Sequence, residues 1–118
     1  MEENKIKLTL KWNPYSTNNI YYRAWNRWFI KALPKAQKES YILQAKTQKT
    51  KFYEWKITVY IKLYFWDKRK RDCDNYSKLI LDSLSWIIWN DDKQIYKLTT
   101  EKFYDKDNPR AELNIDLY

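Results

Sequence analysis

Residues 71–94 read R-D-C-D-N-Y-S-K-L-I-L-D-S-L-S-W-I-I-W-N-D-D-K-Q, directly after the basic run Lys68, Arg69, Lys70 that Arg71 completes. Leu79, Ile80, Leu81, Leu84, Trp86, Ile87, Ile88 and Trp89 cover more than one stripe of a helical period. The spacing predicts a helix from Asn75 to about Ile88, buried on more than one side, with Asp74 as its N-cap. Asp74, Lys78 and Asp82 form its polar row at i, i+4 and i+8. Acidic pairs, Asp72 with Asp74 and Asp91 with Asp92, stand at its two ends.

Upstream, Lys51 to Phe65 sets Trp55, Ile57, Val59, Ile61, Leu63 and Phe65 on one side, the period of two that marks a strand, while Tyr60 and Tyr64 interrupt its polar face. Leu33-Pro34 reads as a helix start, and Tyr41, Ile42 and Ala45 recur at helical spacing up to about Lys49, opposite a Lys- and Gln-rich face read as solvated. Lys5 to Trp12 alternates again. Downstream, Gln94 to Phe103 and Ala111 to Leu117 read as two closing strands joined by a turn at Asp105 to Pro109. The expected fold is α+β: one domain spanning residues 1–118, a mixed sheet with helices packed on it.

The chain of 118 residues carries 23 Lys plus Arg against 15 Asp plus Glu, a formal charge of +8, which favours a polyanionic partner, nucleic acid first. It has no histidine, one cysteine and no glycine. These absences exclude an intrachain disulfide, most zinc centres, Ser/His triads, P-loops and dinucleotide fingerprints. No apolar run approaches a membrane span and no signal peptide opens the sequence, so a cytoplasmic protein is expected, in a host cell if viral or plasmid-encoded.

The metal ligands that remain are carboxylates. Asp72 and Asp74 would point to the same side of an extended chain, roughly 7 Å apart at the backbone, where they repel unless a cation lies between them. Oxygen ligands of this kind suit Mg2+ or Mn2+, which activate water and stabilise charge on a phosphodiester. Against this stands the plain reading of Asp74 as a helix cap. Lys78 would reach a scissile phosphate or pair with Asp74 or Asp82 in a salt bridge. Asp82 is read as structural, and Asp91 as a support for the site or a turn former. Lys68, Arg69, Lys70 and Arg71 would carry phosphate towards the carboxylates, and the loop from Pro14 to Arg23, with Asn18, could hold a phosphate or a base. A helix of about 14 residues separates its ends by roughly 20 Å, too far for Asp92 to meet Asp72 within one chain. A two-fold dimer in which Asp92 completes the partner's site would close that gap.

These residues resemble the RusA-type Holliday junction resolvases. The match lies in D-C-D-N-Y-S-K-L-I-L-D-S-L followed by D-D-K-Q, and in P-Y-S-T-N-N-I-Y-Y-R near the N-terminus. Cys73 departs from the small aliphatic residue common there, and the segment before Asp92 lacks the family's frequent glycine. The resemblance implies a homodimeric, Mg2+-dependent endonuclease that nicks four-way DNA junctions symmetrically in recombination and repair. By position, Asp72, Asp74 and Asp92 correspond to the metal-binding catalytic aspartates and Lys78 to the essential lysine. Asn75 and Asp91 stand beside the ligands, and Lys68 to Arg71 with Arg23 and Asn18 contact DNA. The competing expectations are a basic nucleic-acid-binding protein without catalysis and a related nuclease that cuts forks or flaps.

Overall fold

The computed structural model describes residues 5–11, 21–24, 27–30, 32–49, 51–70 and 73–118, with the backbone alone described for residues 21–34 within these ranges and for Asn75. The order is β1 (Ile6–Lys11), β2 (Tyr21–Ala24), β3 (Arg27–Ile30), α1 (Ala32–Gln48), β4 (Ile57–Phe65), α2 (Cys73–Leu84), β5 (Ile95–Tyr104) and β6 (Arg110–Leu117). A short 3-10 turn, Asp92–Gln94, leads into β5.

Four strands form one sheet in the order β1-β6-β4-β5. β6 runs antiparallel to both β1 and β4, whereas β4 and β5 are parallel, with α2 in the connection between them. The two closing strands are joined by a turn but are not neighbours: β4 lies between them. Alternation places Ile6, Leu8 and Leu10 of β1, Ile57 to Phe65 at every second position of β4, and Ala111, Leu113 and Ile115 of β6 on one buried face. Tyr41 and Ala45 of α1 and Leu79, Ile80 and Leu84 of α2 cover that face. Each such aliphatic side chain removed from water contributes about 1.5–3 kcal/mol, which makes this single layer of contacts the main source of stability. The helices divide the sheet, α1 packing towards β1 and α2 towards β5.

Three sequence expectations shift. β2 and β3 form a small antiparallel hairpin, Tyr21 opposite Ile30, where a loop ending at Arg23 was expected. α2 begins at Cys73 and stops at Leu84, so Asp74 lies in its first turn rather than before it. The helix ends at a corner after Leu84: the Leu84 carbonyl still accepts from the Ile87 and Ile88 amides, but the Trp86 amide turns back to the Trp89 carbonyl (2.6 Å). Trp86 has φ 72° and is exposed, taking the left-handed corner that a glycine would make at less cost. Ile88 and Trp89 stay fully buried although they are no longer helical. Pro34 is the third residue of α1, inside the first turn where its missing N–H leaves no helical bond unmade. Trp55, expected on the apolar side of β4, precedes that strand and is exposed.

β1 is one edge of the sheet and α1 closes it. The Thr9 amide donates to Gln48 Oε1 (2.8 Å) and Gln48 Nε2 donates to the Thr9 carbonyl (2.7 Å). Gln44 repeats the arrangement on Lys11, accepting at 2.8 Å and donating at 3.1 Å. A side-chain amide offers both an N–H donor and a carbonyl acceptor, as a peptide does, so two glutamines a helical turn apart stand in for a missing strand.

Candidate active site

α2 presents Asp74, Lys78 and Asp82 at successive turns, with Ser77 and Leu81 beside them. Asp92 and Leu98 stand across from this row, and together they line an open, shallow cavity of about 300 Å³. Ser77 is buried and locked in place, its hydroxyl donating to the Cys73 carbonyl at 2.8 Å. Leu98 comes from β5, so the cavity lies between α2 and the outer strand of the sheet.

Asp92 reaches this cavity within its own chain. The estimate that kept it away assumed a helix continuing to Ile88. With α2 ending at Leu84, the turn through Trp86 brings the chain back, and sharing between subunits is not needed to place Asp92 with Asp74. Its side chain is then held by the fully buried Trp89, whose indole Nε1 donates to Asp92 Oδ1 at 2.8 Å. Asp91 makes the turn: its carboxylate accepts from the Lys93 amide at 2.9 Å. Gln94 completes a capping box by accepting from the Asn90 (2.8 Å) and Asp91 (2.9 Å) amides, and its Nε2 donates to the carbonyls of Tyr53 (3.0 Å) and Trp55 (2.9 Å). Asp92 is thus aimed by Trp89 from one side and by a turn stapled to the segment before β4 from the other.

Residues 11–116 match the family model Endodeoxyribonuclease RusA. The chain belongs to the RusA endodeoxyribonuclease family. It is also 44% identical over 46 residues to an uncharacterized Bacillus subtilis (strain 168) protein, YqaN; that stretch is 39% of this chain and about a third (32%) of the relative.

Nucleases of the RusA family are generally Mg2+-dependent. The donors facing the cavity fit such an ion: Mg2+ takes oxygen ligands, keeps several waters and is commonly held by one or two carboxylates. Among the described residues no three carboxyl or thiol groups lie close enough to form a metal centre by themselves. Asp72 and Arg71 lie outside the described residues, as does Asn18; Arg23 is in β2 with its side chain undescribed, and the Asn75 side chain is likewise undescribed.

Asp82, read from sequence as structural, lines the same cavity. Partial burial raises the pKa of its carboxyl and Asp92 adds to the rise, while Lys78 and Lys38 oppose it. The i, i+4, i+8 row was the available signal that Asp82 shares a face with Asp74 and Lys78. Trp89 and Gln94 carried none, since a tryptophan in an apolar run and a glutamine after two aspartates have many uses.

The basic run leaves β4 at the same end of the sheet where β5 finishes. Lys68, Arg69 and Lys102 surround a second, shallow groove of about 310 Å³ with Phe103 and Tyr104. Lys68 lies over the Tyr104 ring, 5.3 Å from its centroid, and Arg69 is tied to Asp67 through Nε (3.4 Å) and its amide (3.0 Å). Lys68, Arg69 and Lys70 are exposed. Lys102 joins them only through the parallel pairing of β5 with β4, which no local pattern discloses.

Proposed function

We propose that this RusA-family chain is a Mg2+-dependent endonuclease that acts as a homodimer on four-way DNA junctions and nicks two strands symmetrically. The observation that carries the reading is the meeting of Asp74, Lys78 and Asp92 in one cavity. Asp72, Asp74 and Asp92 hold the ion, with Mn2+ as a substitute. A bound ion supplies an activated water and neutralises charge developing on the phosphodiester. Lys78, on the same helical face, holds the scissile phosphate or steadies the leaving oxygen. Lys68, Arg69, Lys70 and Lys102 lead the backbone in through non-specific contacts, with Arg71, Arg23 and Asn18 in the same service. A purely architectural nucleic-acid binder would gain nothing from carboxylates gathered in one cavity, because they repel phosphate.

The test is cleavage of a synthetic four-way junction, beside a fork, a flap and linear duplex, with Mg2+ and with chelator. Asp74→Asn and Asp92→Asn are expected to keep junction binding and to lose cleavage by more than the roughly 10- to 100-fold that removal of a ligand's outer partner costs. Preference for forks or flaps would keep the chemistry and change the substrate. Binding without metal-dependent cutting would overturn the reading.

A further inference from the structure

We infer that β5 is the surface on which a second copy of this chain docks, strand against antiparallel strand, with the two-fold axis beside Thr99. The assignment takes the dimer from the proposed function and names the element that makes it.

The two edges of the sheet are treated differently. Gln44 and Gln48 cover the backbone of β1, whereas β5, ten residues long, is hydrogen-bonded to β4 on its inner side and forms the other edge. A long edge strand invites pairing, and proteins that avoid it use proline, a covering element or charge. β5 has no proline, and it exposes Tyr96, Leu98, Phe103 and Tyr104. Its charged residues, Lys97, Glu101 and Lys102, are of both signs.

Symmetry restricts the register. Opposed residues of an antiparallel pair point to the same face, and a two-fold axis perpendicular to the sheet preserves faces, so the axis must pass beside a residue. Near the middle of β5 the choices are Thr99 and Thr100. An axis at Thr100 sets Leu98 against the partner's Lys102 and Lys97 against the partner's Phe103. An axis at Thr99 sets Lys97 against the partner's Glu101, twice by symmetry, and Leu98 against the partner's Thr100. The second register turns the edge lysine at position 97 from a guard into a recognition group, and opposite charges directly across a ladder stabilise it.

The placement also serves the cavity. Lys97, Thr99 and Glu101 align with Thr58, Tyr60 and Lys62, which lie on the face away from the helices, while Leu98 lies on the helix side and lines the cavity with Asp74 and Asp92. Pairing at Thr99 makes a continuous eight-stranded sheet from two four-stranded ones. It puts both cavities on one face, flanking the axis, each with the partner's Thr100 next to its Leu98. Two equivalent sites beside a dyad are what paired cuts at a crossover require.

The experiment uses disulfide trapping and sedimentation on the full chain. In a Cys73→Ser background, Thr99→Cys faces its own copy across the axis at a Cα separation of about 4.5–5.5 Å, within disulfide range, and is expected to cross-link under mild oxidation. Thr100→Cys in the same background is expected to remain uncross-linked. Lys97→Glu or Glu101→Lys alone is expected to raise the dimer dissociation constant about tenfold, and the two together to restore it, a rescue that loss of folding cannot mimic. A dimer by sedimentation that neither cross-links at position 99 nor shows the rescue overturns this surface. So does a chain that stays monomeric, even if it cuts DNA with Mg2+, in which case the nuclease reading survives alone. A cross-link at position 99 upholds the surface whether or not DNA is cut, and an unsubstituted dimer that cuts no DNA overturns the nuclease reading alone.

Discussion

The halves of the sheet are finished to different degrees. On the α1 side, the backbone of β1 ends in side-chain amides that satisfy Thr9 and Lys11, and the helix above it contributes Tyr41 and Ala45 to a closed core. On the α2 side, the helix turns Asp74, Lys78 and Asp82 outward over the strand, Asp92 joins them, and the strand itself is the last of the sheet among the described residues. One half spends its polar groups on itself, and the other presents them. The lesson is that a glutamine-rich helix face and an aspartate-rich one, both hydrophilic by composition, do opposite things depending on which backbone they meet.

The contrast can be broken most strongly on the closed side. Replacing Gln44 and Gln48 together by leucine removes a donor and an acceptor from each of two edge residues, and each glutamine is expected to cost about 1–2 kcal/mol. Urea denaturation would measure the loss, and sedimentation should show concentration-dependent association as a second edge becomes available. Cleavage per folded molecule should be unchanged, and a fall in it would mean that the two halves are coupled. Less costly to the fold, Trp89→Phe keeps a large ring in the core and removes the 2.8 Å bond to Asp92. Junction cleavage is expected to fall about tenfold, with more Mg2+ needed for half-maximal rate, as for other groups that orient a metal ligand. A drop that added Mg2+ leaves unchanged would argue against a positioning role.

The smallest effect concerns Asp82. Burial, with Asp92 adding to it, raises its carboxyl pKa above the ordinary 3.8 in the folded chain. Folding therefore favours the protonated form, so stability is undiminished below the unfolded value and is lost as pH rises through the folded one. Asp82→Asn is expected to stabilise the protein at pH 7 by a few tenths of a kcal/mol, allowing for solvent screening at a half-buried site. The difference should vanish well below pH 3.8, as denaturation midpoints at the two pH values would show.

Much of this was legible beforehand. Alternation marked β1, β4 and β6 and the face each buries, and the 71–94 segment named most of the cavity. What escaped has physical reasons. Periodicity assigns a residue to a face but not to a neighbour, so the insertion of β6 between β1 and β4 was hidden. Ile87, Ile88 and Trp89 continue the apolar pattern of α2 because they remain buried, although the backbone has already turned, and the end of the helix passed unnoticed. A helix continued to Ile88 would carry Asp92 away from Asp74, whereas the turn through Trp86 brings both to one cavity. Gln44 and Gln48 were read as solvated because their partners, the backbone groups of Thr9 and Lys11, are more than thirty positions away.

Gln94 has a consequence for genetics. It lies outside the cavity lining, yet it ties two amides of the Asp91 turn to two carbonyls of the chain leading into β4. On the proposed function, a random search for inactive clones would recover it beside Asp74 and Asp92, and a tally of lost activity would rank it with them. Half of the D-D-K-Q stretch is an assembly instruction: Asp91 and Gln94 encode where Asp92 is delivered.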